Sequence, residues 1–293
     1  MPTSEIAHPA QVGFAPAKAY DAHRPSYSEQ AVEQFLEKLE ISGVKGAKVA
    51  DLAAGTGKFT EILARRPEEY DIVAIEPHDG MRAELDRKGL PNVAVVKGTA
   101  DNMSEIPEES LACVIAAQAF HWFANMDALK EIARVLQPTG VFGGIWNIED
   151  YNSPKSWEIH SGWESTMRDV VWTFDDNQPR FRHGKWREVF DEQNRSNPLT
   201  LHFADPLFGL PVGESSMDFE TWLSKDDVWA RLRTLSQIAV LEGDELEKVK
   251  KTFFDSINSA ETRTDEQGRV AVHGRTVFFW TSKIPAEPLK SGG

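Results

Sequence analysis

A single cysteine, Cys113, stands in the 293 residues, which rules out an intrachain disulfide and a cysteine-built zinc site. Basic residues are scarce too: 32 Lys and Arg against 46 Asp and Glu leave a net charge of −14. Binding a phosphate backbone needs a basic footprint, so nucleic acid is not an expected partner. No apolar run reaches the roughly 18 residues of a membrane helix, so no membrane partner is expected. The first 19 residues are polar and broken by Pro2, Pro9 and Pro16, unlike a signal peptide, and a cytoplasmic protein is expected. His160, His183 and His202 are too scattered in sequence for a metal site, and no metal is expected. Repeats and low-complexity segments are absent, and no pattern speaks to oligomeric state. What remains is an ordinary globular balance, 41% hydrophobic and 27% charged.

The first half alternates strand and helix. A helix is expected from near Ser28, with Ser26 and Glu29 at capping-box spacing and Val32, Phe35, Leu36 and Leu39 on one face. Strands follow at 48–53, 71–76, 92–96, 111–117 and 141–146. Between them run helices carrying Phe59, Ile62 and Leu63, then Met81 and Leu85, then Met126, Leu129, Ile132, Ala133 and Leu136. Pro138 and Gly140 are expected to close the last of these. Near-continuous apolar strands between amphipathic helices mean a parallel sheet covered on both faces, a doubly wound α/β domain. Ligands of such sheets sit outside the carboxyl ends of the strands.

After Asn147 the pattern changes. Residues 148–240 carry Trp157, Trp163, Trp172, Trp186, Trp222 and Trp229, six of the nine tryptophans. Two helices are expected there and beyond, one with Trp229, Leu232, Leu235 and Ile238, the other with Leu246, Val249, Phe253 and Ile257. A turn at 265–268 and a last strand at 276–281 complete the reading.

The loop Asp51-Leu52-Ala53-Ala54-Gly55-Thr56-Gly57 joins the first strand to a helix, and its glycines let backbone approach a ligand. A nucleotide P-loop fits poorly, because Phe59 follows Gly57-Lys58 where Ser or Thr is needed. A dinucleotide fingerprint fits weakly, because Thr60 replaces its third glycine. S-adenosylmethionine is the third candidate. It carries no phosphate, its ammonium calls for an acid such as Asp51, and its ribose diol calls for an acceptor such as Glu76.

The ordered set of strand ends resembles the class I S-adenosylmethionine-dependent methyltransferases, and within them the small-molecule group of trans-aconitate methyltransferases and related fungal enzymes. The resemblance covers residues 14–147 and the form of the last strand. It implies a Rossmann-like, seven-stranded, mostly parallel sheet with a helical, tryptophan-rich substrate cap. It also implies that Asp51, Ala53, Gly55 and Gly57 lie under the methionine part of the cofactor. Glu76 would take the ribose, and Pro77 and Met81 would flank the adenine. Thr99, Ala100 and Asp101 would meet the adenine edge, and Gln118 would close the set. Tyr20 and Arg24 would belong to a segment folding over the cofactor. His121 and Trp122, in the segment facing the reactive methyl, and Trp146 and Asn147 are candidates for the substrate, with His121 also a candidate base. Ala53 departs from the family, where glycine is usual.

The organisation expected is an N-terminal lid at 1–27, a cofactor-binding core at 28–147, a cap at 148–265, a closing strand at 266–284 and a flexible tail at 285–293. The expected activity is methyl transfer to a small acceptor, a carboxylate, thiol or hydroxyl of an acid or natural product, releasing S-adenosylhomocysteine. The alternatives are a NAD-dependent oxidoreductase on the same sheet and a relative that binds S-adenosylmethionine without methylating.

Overall fold

Five apolar segments pair side by side as the sequence requires. The computed structural model describes residues 26–174, 177–195 and 206–285. Helix α1 (Glu29–Lys38) buries Ala31, Val32, Phe35 and Leu36. It leads through turns at Gly43 and Gly46 into β1 (Lys48–Leu52). Then come α2 (Lys58–Ala64), β2 (Asp71–Ile75), α3 (Asp79–Arg87), β3 (Val93–Val96), β4 (Leu111–Ala117) and α4 (Met126–Val135). Each strand boundary lies within a residue of the expected one.

The fifth strand does not. β5 spans Leu136–Glu149 rather than 141–146, and it starts where α4 ends. Pro138 and Gly140 do not form a separate closing turn. The register of β5 on β4 jumps from Leu111↔Leu136 to Cys113↔Val141, and the exposed Pro138 falls in that irregular stretch. A proline costs no ladder hydrogen bond at a bulge.

The sheet has seven strands in the order β3-β2-β1-β4-β5-β7-β6, with β6 (Gly213–Leu223) and β7 (Val270–Ser282) completing it. β1 to β5 pair in parallel. The order reverses between β1 and β4, which is where a doubly wound sheet opens a crevice at its carboxyl edge.

The chain divides into two compact units. The first comprises Glu29–Ile145, Lys185–Ser215 and the chain from Phe278. Its core is aromatic: Phe120 meets Phe142, Phe190, Phe279 and Trp186 at ring-centroid distances of 5.1 to 6.4 Å. The second comprises the chain up to Ser28, Trp146–Gly184 and Ser216–Val277. Its core joins Tyr151, Trp163, Met167 and Val171 to Val228, Leu232, Ile238, Phe253, Val270 and Val272. Within 148–265, the described residues of 185–215, including α6 (Glu188–Glu192), group with the first unit.

Four further elements depart from expectation. α5 (Gly162–Thr173) and β6 have no counterpart in the sequence reading. The helix expected through Trp229 to Ile238 is two, α7 (Lys225–Leu232) and α8 (Ser236–Ala239). The last helix, α9 (Gly243–Ile257), and the turn at Asp265 to Gly268 stand as read, while β7 starts at Val270 rather than 276.

Candidate functional site

The site candidates of the first unit gather at one edge because the parallel register puts their strands' ends level. Leu52 pairs with Ile75 and Ile75 with Val96, so the loops after β1, β2 and β3 emerge together. Asp51 pairs with Ile115, which brings the end of β4 beside them.

The loop after β1 is held in a left-handed arch. Ala53, Gly55 and Gly57 have φ of +59°, +58° and +86°. Gly57 is required twice over: beyond its φ, a Cβ there would lie 2.2 Å from Leu85 Cδ1 of α3. Ala53 holds the same type of conformation with a methyl group. Left-handed backbone costs a non-glycine residue roughly 1–2 kcal/mol, so the departure from glycine is strained but accommodated. At the end of β4, Gln118 repeats the pattern with φ +60°, its amide donating to Ile145 O at 2.8 Å. Strained non-glycine residues thus stand on both sides of the switch point, where functional sites concentrate them.

Glu76 locks this arch to the next strand. Its Oε2 accepts from Gly55 N and its Oε1 from His78 N, both at 2.8 Å. Burial pushes its carboxyl above the usual range against the pull of those two amides. Pro77 follows it, and Arg82 donates to the Glu76 and Pro77 carbonyls at 3.1 and 3.3 Å, fixing the corner into α3. His78 caps α3 by accepting from Met81 N, and the buried Met81 lies beneath the arch.

Asp51 is buried at the base of the loop. Its Oδ2 accepts from Thr60 Oγ1 at 2.6 Å, and its Oδ1 is buried with no hydrogen-bond partner among the described residues. Burial, chiefly, and then the nearby Glu76 carboxylate push the Asp51 carboxyl up to about 7. Thr60, which displaces the glycine of a dinucleotide site, is thus the side chain that orients Asp51.

After β3, Thr99 and Asn102 exchange backbone hydrogen bonds at 3.1 Å, and Thr99 Oγ1 donates to the exposed Asp101 at 2.6 Å. Ala100 is buried between them. His121 and Trp122 lie in the 3₁₀ turn Phe120–Trp122 after β4, with their rings 4.9 Å apart. Phe120 in the same turn anchors it into the aromatic core.

Trp146 and Asn147 belong to the second unit, and neither presents its side chain outward. Trp146 is fully buried against Phe181, 5.0 Å between rings. The buried Asn147 donates through Nδ2 to Ser26 O at 3.1 Å and accepts through Oδ1 from Thr276 Oγ1 at 2.6 Å. These contacts engage both side chains in holding β5 within the unit. Tyr20 and Arg24 lie outside the described residues, as does His202. Cys113 is buried within β4, with its thiol pushed up by burial. Among the described residues no group of three or more His, Cys, Asp or Glu could hold a metal, and no helix is long and apolar enough to cross a membrane.

The residues present fit S-adenosylmethionine. The buried, unpartnered Oδ1 of Asp51 suits an ammonium, the glycine arch admits close backbone approach, and Glu76 keeps lone pairs for a diol after accepting two amides.

A methyltransferase-domain family model matches residues 50–143. An uncharacterized methyltransferase-like protein of Schizosaccharomyces pombe is 30% identical over 269 residues, 92% of this chain and 94% of that protein. A malonyl-[acyl-carrier protein] O-methyltransferase of Methylococcus capsulatus is 31% identical over 111 residues, 37% of this chain and 40% of that protein. A putative type II methyltransferase from Anaeromyxobacter dehalogenans has the same fold, with a TM-score of 0.56 at 18% identity over 90% of this chain and 99% of that one. With a relative this similar along nearly its whole length, and with this strand order and glycine arch, the chain belongs to the class I S-adenosylmethionine-dependent methyltransferases.

Proposed function

We propose that the protein methylates a small acceptor, a carboxylate first and a thiol or hydroxyl second, at the carboxyl edge of β1, β2 and β4. The observation that carries this reading is the clamp of Gly55 N and His78 N on the two oxygens of Glu76, which fixes an acceptor for a ribose beside an arch open to a ligand backbone-first. S-adenosylmethionine supplies an activated methyl on a sulfonium. The protein therefore needs to bind, align and exclude water more than to provide strong acid or base. Asp51 and Glu76 hold the two polar ends, and His121, in the turn after β4, borders the acceptor.

The Methylococcus relative is named an O-methyltransferase, which favours oxygen as the atom methylated. A carboxylate is ionised at neutral pH and needs no base. A hydroxyl would draw on His121 as general base. Hydride transfer is disfavoured by Thr60, whose hydroxyl occupies the corner a dinucleotide-binding glycine leaves bare and is committed to Asp51. The test is a screen of small acids, thiols and phenols with S-adenosylhomocysteine release as the readout. Bound cofactor without turnover on any acceptor would place the protein among relatives that bind S-adenosylmethionine without methylating.

A further inference from the structure

We infer that His273 acts as a doubly protonated tie joining β7, β6 and α5 within the second unit, and that losing its ring proton as pH rises loosens these elements from one another. The argument starts from which atoms face the ring. His273 Nδ1 lies 2.8 Å from Glu164 Oε2, and its backbone N donates to Glu164 Oε1 at 2.7 Å. On the opposite side of the ring, Nε2 lies 3.2 Å from Glu220 Oε2. A carboxylate only accepts, so both ring nitrogens must donate to satisfy both acids. A neutral imidazole has one N–H and one lone pair. Whichever tautomer forms, one nitrogen lone pair then confronts a carboxylate oxygen at hydrogen-bond distance.

The acids come from different elements. Glu164 lies in the first turn of α5, is fully buried, and also accepts from Ser161 Oγ at 2.6 Å. Glu220 lies on β6 and takes a second cation, Arg263, at 2.7 Å. Two residues along β7, Arg275 pairs with Asp218 of β6 at 2.9 Å, so the two strands carry a short ladder of cation–carboxylate pairs. Flat against the His273 ring stacks His160, 4.9 Å between centroids and 17° between planes. Asp150 holds His160 by its backbone N at 3.0 Å and its Nδ1 at 2.8 Å. Facing His273, then, are Glu164, Glu220, Asp150 and His160, with Arg263 beyond Glu220. Negative charge dominates that set and favours the imidazolium. The Glu164 hydrogen bond above all raises the His273 pKa, and Glu220 and Asp150 add to it.

The sign of the pH dependence follows. A group whose folded-state pKa is raised contributes fully below its ordinary value, about 6.5 for histidine. That contribution disappears as pH climbs through the raised value. Deprotonation leaves one of the two acids facing a lone pair: Glu220 if Nδ1 keeps its proton, or the buried Glu164, with half its tie to His273, if Nε2 keeps it. The elements freed first are the N-terminal turn of α5 and the stretch of β6 around Glu220.

The test uses the full-length protein. Nitrogen NMR of the imidazoles at pH 7 is expected to show both nitrogens of His273 protonated. Amide exchange, corrected for its intrinsic pH dependence, is expected to show opening constants for residues 162–166 and 216–222 that rise above pH 6.5, by at most about tenfold per pH unit, and then level off. His273→Gln is expected to abolish the step. Should that variant fail to fold, Glu220→Gln removes only the negative charge of the partly exposed acceptor, and the step then moves to lower pH. A singly protonated His273 at pH 7, a flat opening constant from pH 6 to 9, or a step unmoved in Glu220→Gln overturns the inference.

Discussion

Gly55 donates its amide hydrogen to Glu76 Oε2 at 2.8 Å, so the loop after β1 and the acid after β2 form one rigid piece rather than two neighbouring motifs. The clamp leaves Glu76 ionisable in a buried setting, where a charge-assisted hydrogen bond contributes roughly 1.5–3 kcal/mol. Glu76→Ala should weaken S-adenosylhomocysteine binding by about 10- to 150-fold. Glu76→Gln, which keeps the shape and one acceptor, should lose less. Calorimetry showing unchanged affinity in a folded Glu76→Ala variant would remove Glu76 from the ribose.

The arch predicts opposite outcomes for two single-methyl changes. Ala53→Gly releases a left-handed alanine, worth about 1–2 kcal/mol, against a gain in unfolded-chain freedom of about 0.5–1 kcal/mol. The net should be neutral to about 1 kcal/mol stabilising. Gly57→Ala must place a methyl 2.2 Å from Leu85 Cδ1 at φ +86°, and should destabilise by several times that amount. Denaturant titration measures both. A clearly destabilised Ala53→Gly protein would mean that the methyl makes contacts outweighing its strain.

The sheet half of this molecule was legible because its strands are buried on both faces and read as unbroken apolar runs bounded by loops. Leu111 to Ala117 is the clearest case. The carboxyl-edge rule points from those strands to Glu76, Thr99 and Gln118, while Asp51 comes from the chemistry of the loop. β6 escaped because it alternates, with Glu214, Ser216, Asp218 and Glu220 turned outward and smaller or aromatic residues turned in. That period-two signal was present in the sequence and was masked by the charges around it. α5 escaped for another reason: its buried face includes Glu164, an acid held by Ser161 at the helix start and by a distant partner, His273. The partners of Trp146 and Asn147 are not readable from sequence, because proximity to β5's end says nothing about what a side chain packs against. Thr60 was read only as a missing glycine. Its role as the donor to Asp51 required the fold.

His121 separates two kinds of acceptor. For a carboxylate the nucleophile is already ionised, so His121→Ala should act mainly on KM and leave kcat within a few-fold. A fall in kcat of about 10²–10⁴ would instead identify a hydroxyl acceptor and a general base. Steady-state kinetics on the acceptor found by the screen decides. Wild-type kcat and KM together would take His121 out of the site.

Asp51 should make cofactor binding release a proton. In the free protein its carboxyl is pushed up to about 7, mainly by burial, with Oδ2 held by Thr60 and Oδ1 unpartnered. The ordinary aspartate value is about 3.9, so between about pH 4 and 7 the folded state holds a proton that the unfolded chain has lost. Folding stability from this residue therefore falls as pH rises across that window, and the penalty is complete above 7. An ammonium placed at Oδ1 favours the carboxylate and returns the pKa toward its ordinary range. At pH 6 to 6.5 the free protein is mostly protonated at Asp51 and the complex is not. Titration with S-adenosylhomocysteine in two buffers of different ionisation enthalpy should then report release of close to one proton, fading above pH 8. Asp51→Asn should release none and should keep its stability as pH rises from 5 to 8, where the wild type loses some. Thr60→Val removes the larger of the two Thr60 hydrogen bonds that lower the Asp51 pKa and keeps the backbone one, so its proton release should extend to higher pH. Equal binding enthalpies in both buffers at pH 6.5, with affinity intact, would show that Asp51 stays in one protonation state and that the ammonium is held elsewhere.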